Sequence, residues 1–228
     1  MRHGACLAAA VLVLPPLLYW LDGRWKPTRP ATPLPLGGLL TPLTKLPGLW
    51  VLATLALAEP SFDAYRKIAL IEPLAKRVAE LGWHIQFNIE ADQIVELADL
   101  LRRLPVPIVI DHLGHPHLPA GVNDESHRIV RGLIDAGRTW VKLAGAYFNT
   151  EVGPPTYADA TLIAQAFVKA APEQLVWGSD WPHPSATNGK PDDSLLFDLL
   201  ATWAPDETVR NRILVQNPET LYGFDKSV

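Results

Sequence analysis

Cysteine is nearly missing from this chain. Cys6 is the only one in 228 residues, so neither a disulfide framework nor a cysteine-rich metal site can be built. Basic runs are missing too: lysines and arginines are scattered, and the net charge of -4 argues against nucleic acid or an anionic membrane as the main partner. No G-x-G-x-x-G or Walker loop follows any candidate strand, which weakens a nucleotide-binding reading. Carboxylates are scarce in one region only, since Asp22 and Glu59 are the only two in residues 1–60.

That first region has no long uninterrupted apolar run. Cys6–Leu21 follows Arg2, but Pro15-Pro16 breaks it, no small-x-small cleavage site follows, and it is shorter than the roughly 20 residues a helical span needs. A second apolar run, Leu49–Ala58, is shorter still. Between them Trp25–Leu46 carries Pro27, Pro30, Pro33, Pro35 and Pro42, with neither helical nor strand periodicity. A leader, a proline-rich extension and a mis-read or truncated gene start compete for this segment. The abrupt change of composition near Pro60 favours the last. The expectation is an atypical Leu/Pro-rich segment over 1–60, contributing no strand, and one domain over 61–228 of a cytoplasmic protein.

From Ser61 the pattern is regular. Ser61 can cap a helix over Phe62–Ile71, and Pro73 suits the first turn of another that Gly82 stops. Trp83–Ile89 alternates, Ala91–Leu104 is helical, and Val106–His112 is a β-branched strand. Glu125–Ala136 reads as a helix and Thr139–Ala144 as a strand. Thr156–Ala171 is a helix with Leu162, Ile163, Ala166, Phe167 and Ala170 facing inward. Leu175–Ser179 is a buried strand, Asp192–Thr202 a helix capped by Asp192 or Ser194, and Asp206–Gln216 a last helix before Asn217-Pro218. Four successive βα units imply an α/β fold with a parallel sheet, either a barrel or a doubly wound sheet. Helices are expected on one face only.

Polar residues at strand ends carry the chemistry. Asp180 ends the strand Leu175–Ser179, just where Pro182 and Pro184 stop regular structure; a β/α barrel presents catalytic carboxylates in this way. On the second of the four strands, a period of two places Ile108, Ile110 and His112 on one face. Taking that face as the barrel interior puts His112 at the mouth and turns Asp111 outward as a supporting group. Val176, Gly178 and Asp180 share a face, as do Trp140, Lys142 and Ala144. Asn88 ends its strand on the side of His84 and Gln86, and Tyr147 lies on the loop after Thr139–Ala144. An aspartate and a histidine on separate strands suit hydrolysis of a small-molecule substrate: the carboxylate takes a proton from water while the imidazole polarises a carbonyl or ligates a metal. His115, His117, His127 and His183 read as loop or surface residues, with the proline-flanked His183 the least ordinary of them.

Three stretches, Asp111-His112-Leu113-Gly114-His115-Pro116, Trp140-Val141-Lys142-Leu143-Ala144-Gly145-Ala146-Tyr147 and Trp177-Gly178-Ser179-Asp180-Trp181-Pro182-His183-Pro184, resemble in order and spacing the amidohydrolase-related family, in the branch of 2-pyrone-4,6-dicarboxylate lactonase. Leu81-Gly82-Trp83-His84 and the Asn217-Pro218 ending fit as well, so the resemblance covers Ser61 to Phe224. It implies a TIM-barrel hydrolase of which these are strands five to eight, with Asp180 as the water-activating base and His112 as the sixth-strand histidine. Tyr147, Asn88 and Lys142 then fall to substrate binding. The chain departs from the family pattern in three places. It has no His-x-His pair in residues 1–60, Asn88 stands at the fifth-strand position, and Phe148 replaces an arginine that grips a substrate carboxylate. Two donors fall short of a zinc site, so no metal or other cofactor is expected, although metal-dependent relatives exist. Two classes of function follow: a lactone, ester or amide hydrolase, or a catalytically inactive half-barrel serving as a binding or homo-oligomerising module.

Overall fold

Short apolar stretches rich in β-branched residues, each followed by an amphipathic one, condense here into a sheet wrapped by helices. The computed structural model describes residues 53–56, 62–183, 186 and 189–223. In chain order the regular elements are β1 (Ala53–Ala56), α1 (Phe62–Glu80), β2 (Ile85–Asn88), α2 (Ala91–Arg103), β3 (Ile108–Ile110) and α3 (Glu125–Asp135), followed by β4 (Thr139–Leu143), α4 (Ala158–Ala170), β5 (Leu175–Trp177), α5 (Asp193–Trp203), α6 (Glu207–Asn211) and α7 (Asn217–Tyr222). The sheet order is the chain order, β1-β2-β3-β4-β5. Strands β2 to β5 pair in parallel, with Ile85 opposite Ile108, Ile108 opposite Thr139 and Val141 opposite Leu175.

The two faces of the sheet differ. On one, Ile85, Phe87, Ile108, Ile110, Val141, Leu143 and Leu175 pack under the helices, against Ile94 of α2, Val130 of α3 and Phe167 of α4 among others. This is the large core. On the other, Val109, Trp140 and Val176 form a small cluster with Leu221 and Tyr222 of α7. Helices therefore do not keep to one face, because α7 reaches the second. Aspartates start the helices: Asp124, Asp192 and Asp206 accept from the main-chain N–H groups of Ser126, Ser194 and Thr208. Glu90 and Gln93 cap α2 reciprocally.

Several expectations are corrected. The run Leu49–Ala58, expected to hold no strand, contains β1, a fifth strand at the edge of the sheet. The two helices expected on either side of Pro73 are one continuous α1, since a proline deletes a single i→i−4 bond and the apolar face runs on through Ile71, Ala75 and Val78. Ser61, the expected cap, lies outside the described residues. In α4 the buried residues are Ala160, Ile163, Ala164 and Phe167, while Leu162 is 63% exposed; the helix turns a narrower stripe inward than the pattern indicated. Beyond α6 the chain passes through a π-helical turn, Arg212–Gln216, directly into α7, so Asn217-Pro218 begins a helix instead of leaving one.

Asn217 anchors that ending. Its buried Nδ2 donates to the carbonyls of Pro172 (2.7 Å) and Leu175 (2.6 Å), tying α7 to the entrance of β5. Asn217→Ala removes the donor from one buried and one part-buried carbonyl and is expected to lower stability by about 1–3 kcal/mol, read as a shift in the urea unfolding midpoint.

Candidate active site

The residues of interest gather where β2 to β5 end. Strand β3 ends at Ile110, and the next two side chains take opposite courses. Asp111 lies on the face of Val109, so it points to the second, lightly covered side of the sheet. There its Oδ2 accepts from Gln86 Nε2 at 2.5 Å, and its Oδ1 lies 3.0 Å from Lys142 Nζ. The expected parity is therefore reversed: Ile108 and Ile110 face the helices, and Asp111 faces the site side with Gln86 and Lys142. His112 arrives by a different route. It takes a left-handed backbone conformation (φ 48°), as does Leu113 (φ 60°), and together they swing the imidazole out of the strand's alternation. Asn149, fully buried, clamps this turn: its Nδ2 donates to the His112 carbonyl at 3.0 Å and to that of Gly145 at 3.3 Å.

Asp180 follows β5 in another left-handed residue (φ 64°). The Tyr147 hydroxyl donates to its Oδ2 at 2.5 Å, and His112 Nε2 stands 3.8 Å from its Oδ1. The structure thus brings together three of the residues singled out from the sequence: His112, Tyr147 and Asp180. The 3.8 Å gap is too long for a direct hydrogen bond and is the separation at which a shared water becomes the question to ask. Burial, reinforced by the Asp180 charge, holds the Tyr147 phenol well above its usual range, so it remains a donor at any ordinary pH. The ring of Phe148 lies against Tyr147 (4.3 Å between centroids) and edge-on to His112 (5.0 Å). That flank of the mouth is apolar.

Below this trio lies the ion pair of Asp111 and Lys142. The Lys142 stem crosses Gly178, where a Cβ would come within 3.2 Å of its Cδ. Lys142 therefore serves Asp111 from beneath the mouth. Burial first, and the Lys142 cation second, push the imidazole of His84 down to about 4. Tyr222 packs edge-on to it at 5.4 Å and is itself pushed up to about 12 by burial and by Asp111. Asn88 ends β2 half-buried, and among the described residues no side-chain hydrogen bond is seen from it to His112, Tyr147 or Asp180. Three histidines also need correction. His127 is buried in α3 against Phe167, and His183 is buried beside Tyr147. His115 is half-buried between His112 and Phe148, and burial and the neighbouring His112 push it down to about 4.

Sequence reasoning missed Asn149 and the role of Gln86. No periodicity marks Asn149, because it sits in a loop, whereas the shared parity of Gln86, Asp111 and Lys142 was available as a signal. Among the described residues no group of three or more His, Cys, Asp or Glu side chains could hold a metal ion. His112 and Asp180 alone are two donors where zinc takes three or four protein ligands or a water in the last place. Among the same residues no helix is long and apolar enough to cross a membrane.

The amidohydrolase family pattern matches residues 48–224, a stretch that includes the whole sheet: the chain belongs to that family. Three of its curated relatives carry the names of lactone or pyrone enzymes. It is 41% identical over 146 residues to a 4-sulfomuconolactone hydrolase of Rhizobium radiobacter, covering 63% of this chain and 48% of that protein. It is 33% identical over 157 residues to a 2-pyrone-4,6-dicarboxylate hydrolase of Comamonas testosteroni, covering 65% and 52%. A D-galactarolactone isomerase of Agrobacterium fabrum is 31% identical over 154 residues, covering 67% and 52%. The chain spans about half the length of these curated relatives. A solved Agrobacterium tumefaciens structure in its apo form superimposes with a TM-score of 0.61 at 31% identity, covering 67% of this chain and 54% of that one.

The depressed imidazoles of His84 and His115 dictate a pH response. A histidine titrating near 4 in the fold and near 6.5 in the unfolded chain binds more protons when unfolded throughout that interval, so stability is full above it and falls as pH drops through it. His84 and His115 should each remove up to roughly 3 kcal/mol between pH 6.5 and 4. Urea midpoints measured across that window should fall steeply in the native chain and less steeply in His84→Gln and His115→Gln.

Proposed function

We propose that the chain carries the C-terminal, site-bearing half of a TIM-barrel lactone hydrolase, with Asp180 as general base and His112 as the group that polarises the carbonyl. The observation that carries this reading is the convergence of His112 Nε2 and the Tyr147 hydroxyl on the two oxygens of one carboxylate. The family supports the reaction class, and the names of the relatives support the substrate class.

Water between Asp180 and His112 gives a proton to the carboxylate as its oxygen attacks the lactone carbonyl carbon. The imidazole N–H donates to the developing oxyanion, a form of stabilisation that accounts for much of the rate enhancement in acyl transfer. When the ring C–O bond breaks, the leaving oxygen takes the proton back from Asp180, and the net change is lactone plus water to hydroxy acid. Tyr147 holds the carboxylate in one rotamer. Phe148 gives the mouth an apolar flank where the resembled family pattern has an arginine, so we favour a lactone carrying less charge than a dicarboxylated pyrone. Lys142, paired with Asp111, supports the site and does not bind substrate; Asn88 is left to contact the substrate from the end of β2. Each of these steps uses side chains of this chain alone.

The test is acid release from 4-sulfomuconolactone and from simpler uncharged lactones by the full chain. Turnover that falls about 10²–10⁴-fold in Asp180→Asn, with unchanged circular dichroism, supports the reading. An Asp180→Asn variant that keeps most of its rate overturns the assignment of the base. Lactone consumed without acid release points instead to isomerisation. Saturable binding without turnover points to an inactive binding module.

A further inference from the structure

His183 has no role in the reaction above, yet it is built into the site more firmly than a loop residue needs to be. It lies in the left-handed region (φ 55°) and is buried to all but 3% of its side chain. Its N–H donates to the Asp180 carbonyl at 2.7 Å, and its own carbonyl accepts from the Ala186 N–H at 3.1 Å and from the Lys190 ammonium. At the ring, Nε2 stands 3.0 Å from Oδ1 of Asp193, in the first turn of α5. The edge of the imidazole meets the Tyr147 ring, with centroids 5.5 Å apart and planes at 82°. Phe148 lies on Tyr147 as well, at 4.3 Å and 35°.

We infer that His183, tethered by Asp193, is the positioning residue that holds the Tyr147 hydroxyl on Asp180. Three features support this. Tyr147 packs against two rings, Phe148 and the His183 imidazole, and a carboxylate fixes the Nε2–H tautomer and ring plane of the second. Nδ1 is then left buried with no protein partner among the described residues, a cost that a leucine or phenylalanine filling the same space would not carry. Finally, the main chain of the same residue bonds the Asp180 carbonyl, so one residue sets both ends of the Tyr147–Asp180 contact. A left-handed, non-glycine residue of this kind persists only where its surroundings over-determine it. The inference rests on Asp180 and Tyr147 being the reactive pair, but its test does not depend on turnover.

The test labels the full chain with [13Cζ]-tyrosine and assigns Tyr147 by its disappearance in Tyr147→Phe. Asp180→Asn shows how far the resonance moves when its carboxylate acceptor is lost. His183→Phe, which keeps an aromatic wall without the tether, and Asp193→Ala should each move the Tyr147 resonance most of that distance, while Tyr157 and Tyr222 stay in place. Asp193→Asn, which retains an acceptor for Nε2–H, should leave it near its native position. If His183→Phe fails to fold, Asp193→Ala decides alone, since the Asp193 side chain is half exposed. A native Tyr147 resonance in Asp193→Ala overturns the inference, as does equal movement of Tyr147, Tyr157 and Tyr222. In turnover, His183→Phe should lower kcat about tenfold to a hundredfold with KM within twofold. A native chain that opens no lactone refutes the proposed function and leaves the resonance to judge the positioning.

Discussion

Asp111 takes a carboxylate to a place where only 4% of it meets solvent, and the partners that this demands organise the site side of the sheet. An unpaired charge at such a depth would cost several kcal/mol, so Lys142 and Gln86 must stay on the same face of β4 and β2 as Asp111. Once Asp111 is committed to that face, simple alternation would send His112 back under the helices. The left-handed pair His112–Leu113 breaks the alternation, and Asn149 holds the break closed. Lys142 in turn needs a clear path across β5, and Gly178 provides it two residues before Asp180. One buried ion pair thus links the position of the histidine on one strand to that of the aspartate two strands away.

The βα succession from Trp83 onward was legible because its periods are clean and its breakers are proline and glycine. Most element ends moved by two residues or fewer, chiefly at strands, which lose pairing where a proline precedes them or a loop pulls away, and the last helix gives way to the π-helical turn after Asn211. The parity of β3 was not legible from that strand alone. Ile108 and Ile110 look like the inside of a barrel, but in a sheet wrapped by helices the larger apolar face belongs to the helix side. The charged residues held the better clue. Gln86, Asp111 and Lys142 share a face in the observed register, and a lysine on a buried strand must meet a partner somewhere. Strand β1 escaped notice for a different reason, since four residues in an apolar, leucine-rich run carry no period that separates strand from helix. His127 and His183 look exposed in the sequence because a histidine's burial depends on neighbours beyond its own stretch of chain: Phe167 in one case and Asp193 in the other.

Around Asp180 the groups that approach are a hydroxyl donor and aromatic rings: the Tyr147 hydroxyl, the His112 ring, and behind it His115, which burial holds uncharged. The Lys142 cation is already engaged by Asp111, and the Lys190 ammonium by the His183 carbonyl. Such an arrangement leaves the Asp180 carboxylate one-fifth exposed and in contact with groups that can follow a proton.

Gly145 sets a boundary for anyone reshaping this mouth by directed evolution. Its backbone is left-handed (φ 63°), and a methyl group there would stand 2.7 Å from both His112 Nδ1 and the Phe148 ring. Libraries randomised at that position would consist almost entirely of chains with a displaced histidine. The neighbouring Tyr147 and Phe148 sit on ordinary backbone and present only side chains to the opening. Diversity placed at Phe148 can change the shape and charge of the flank while the hinge behind it stays bare, and the order in which positions are opened to variation follows from that single missing carbon.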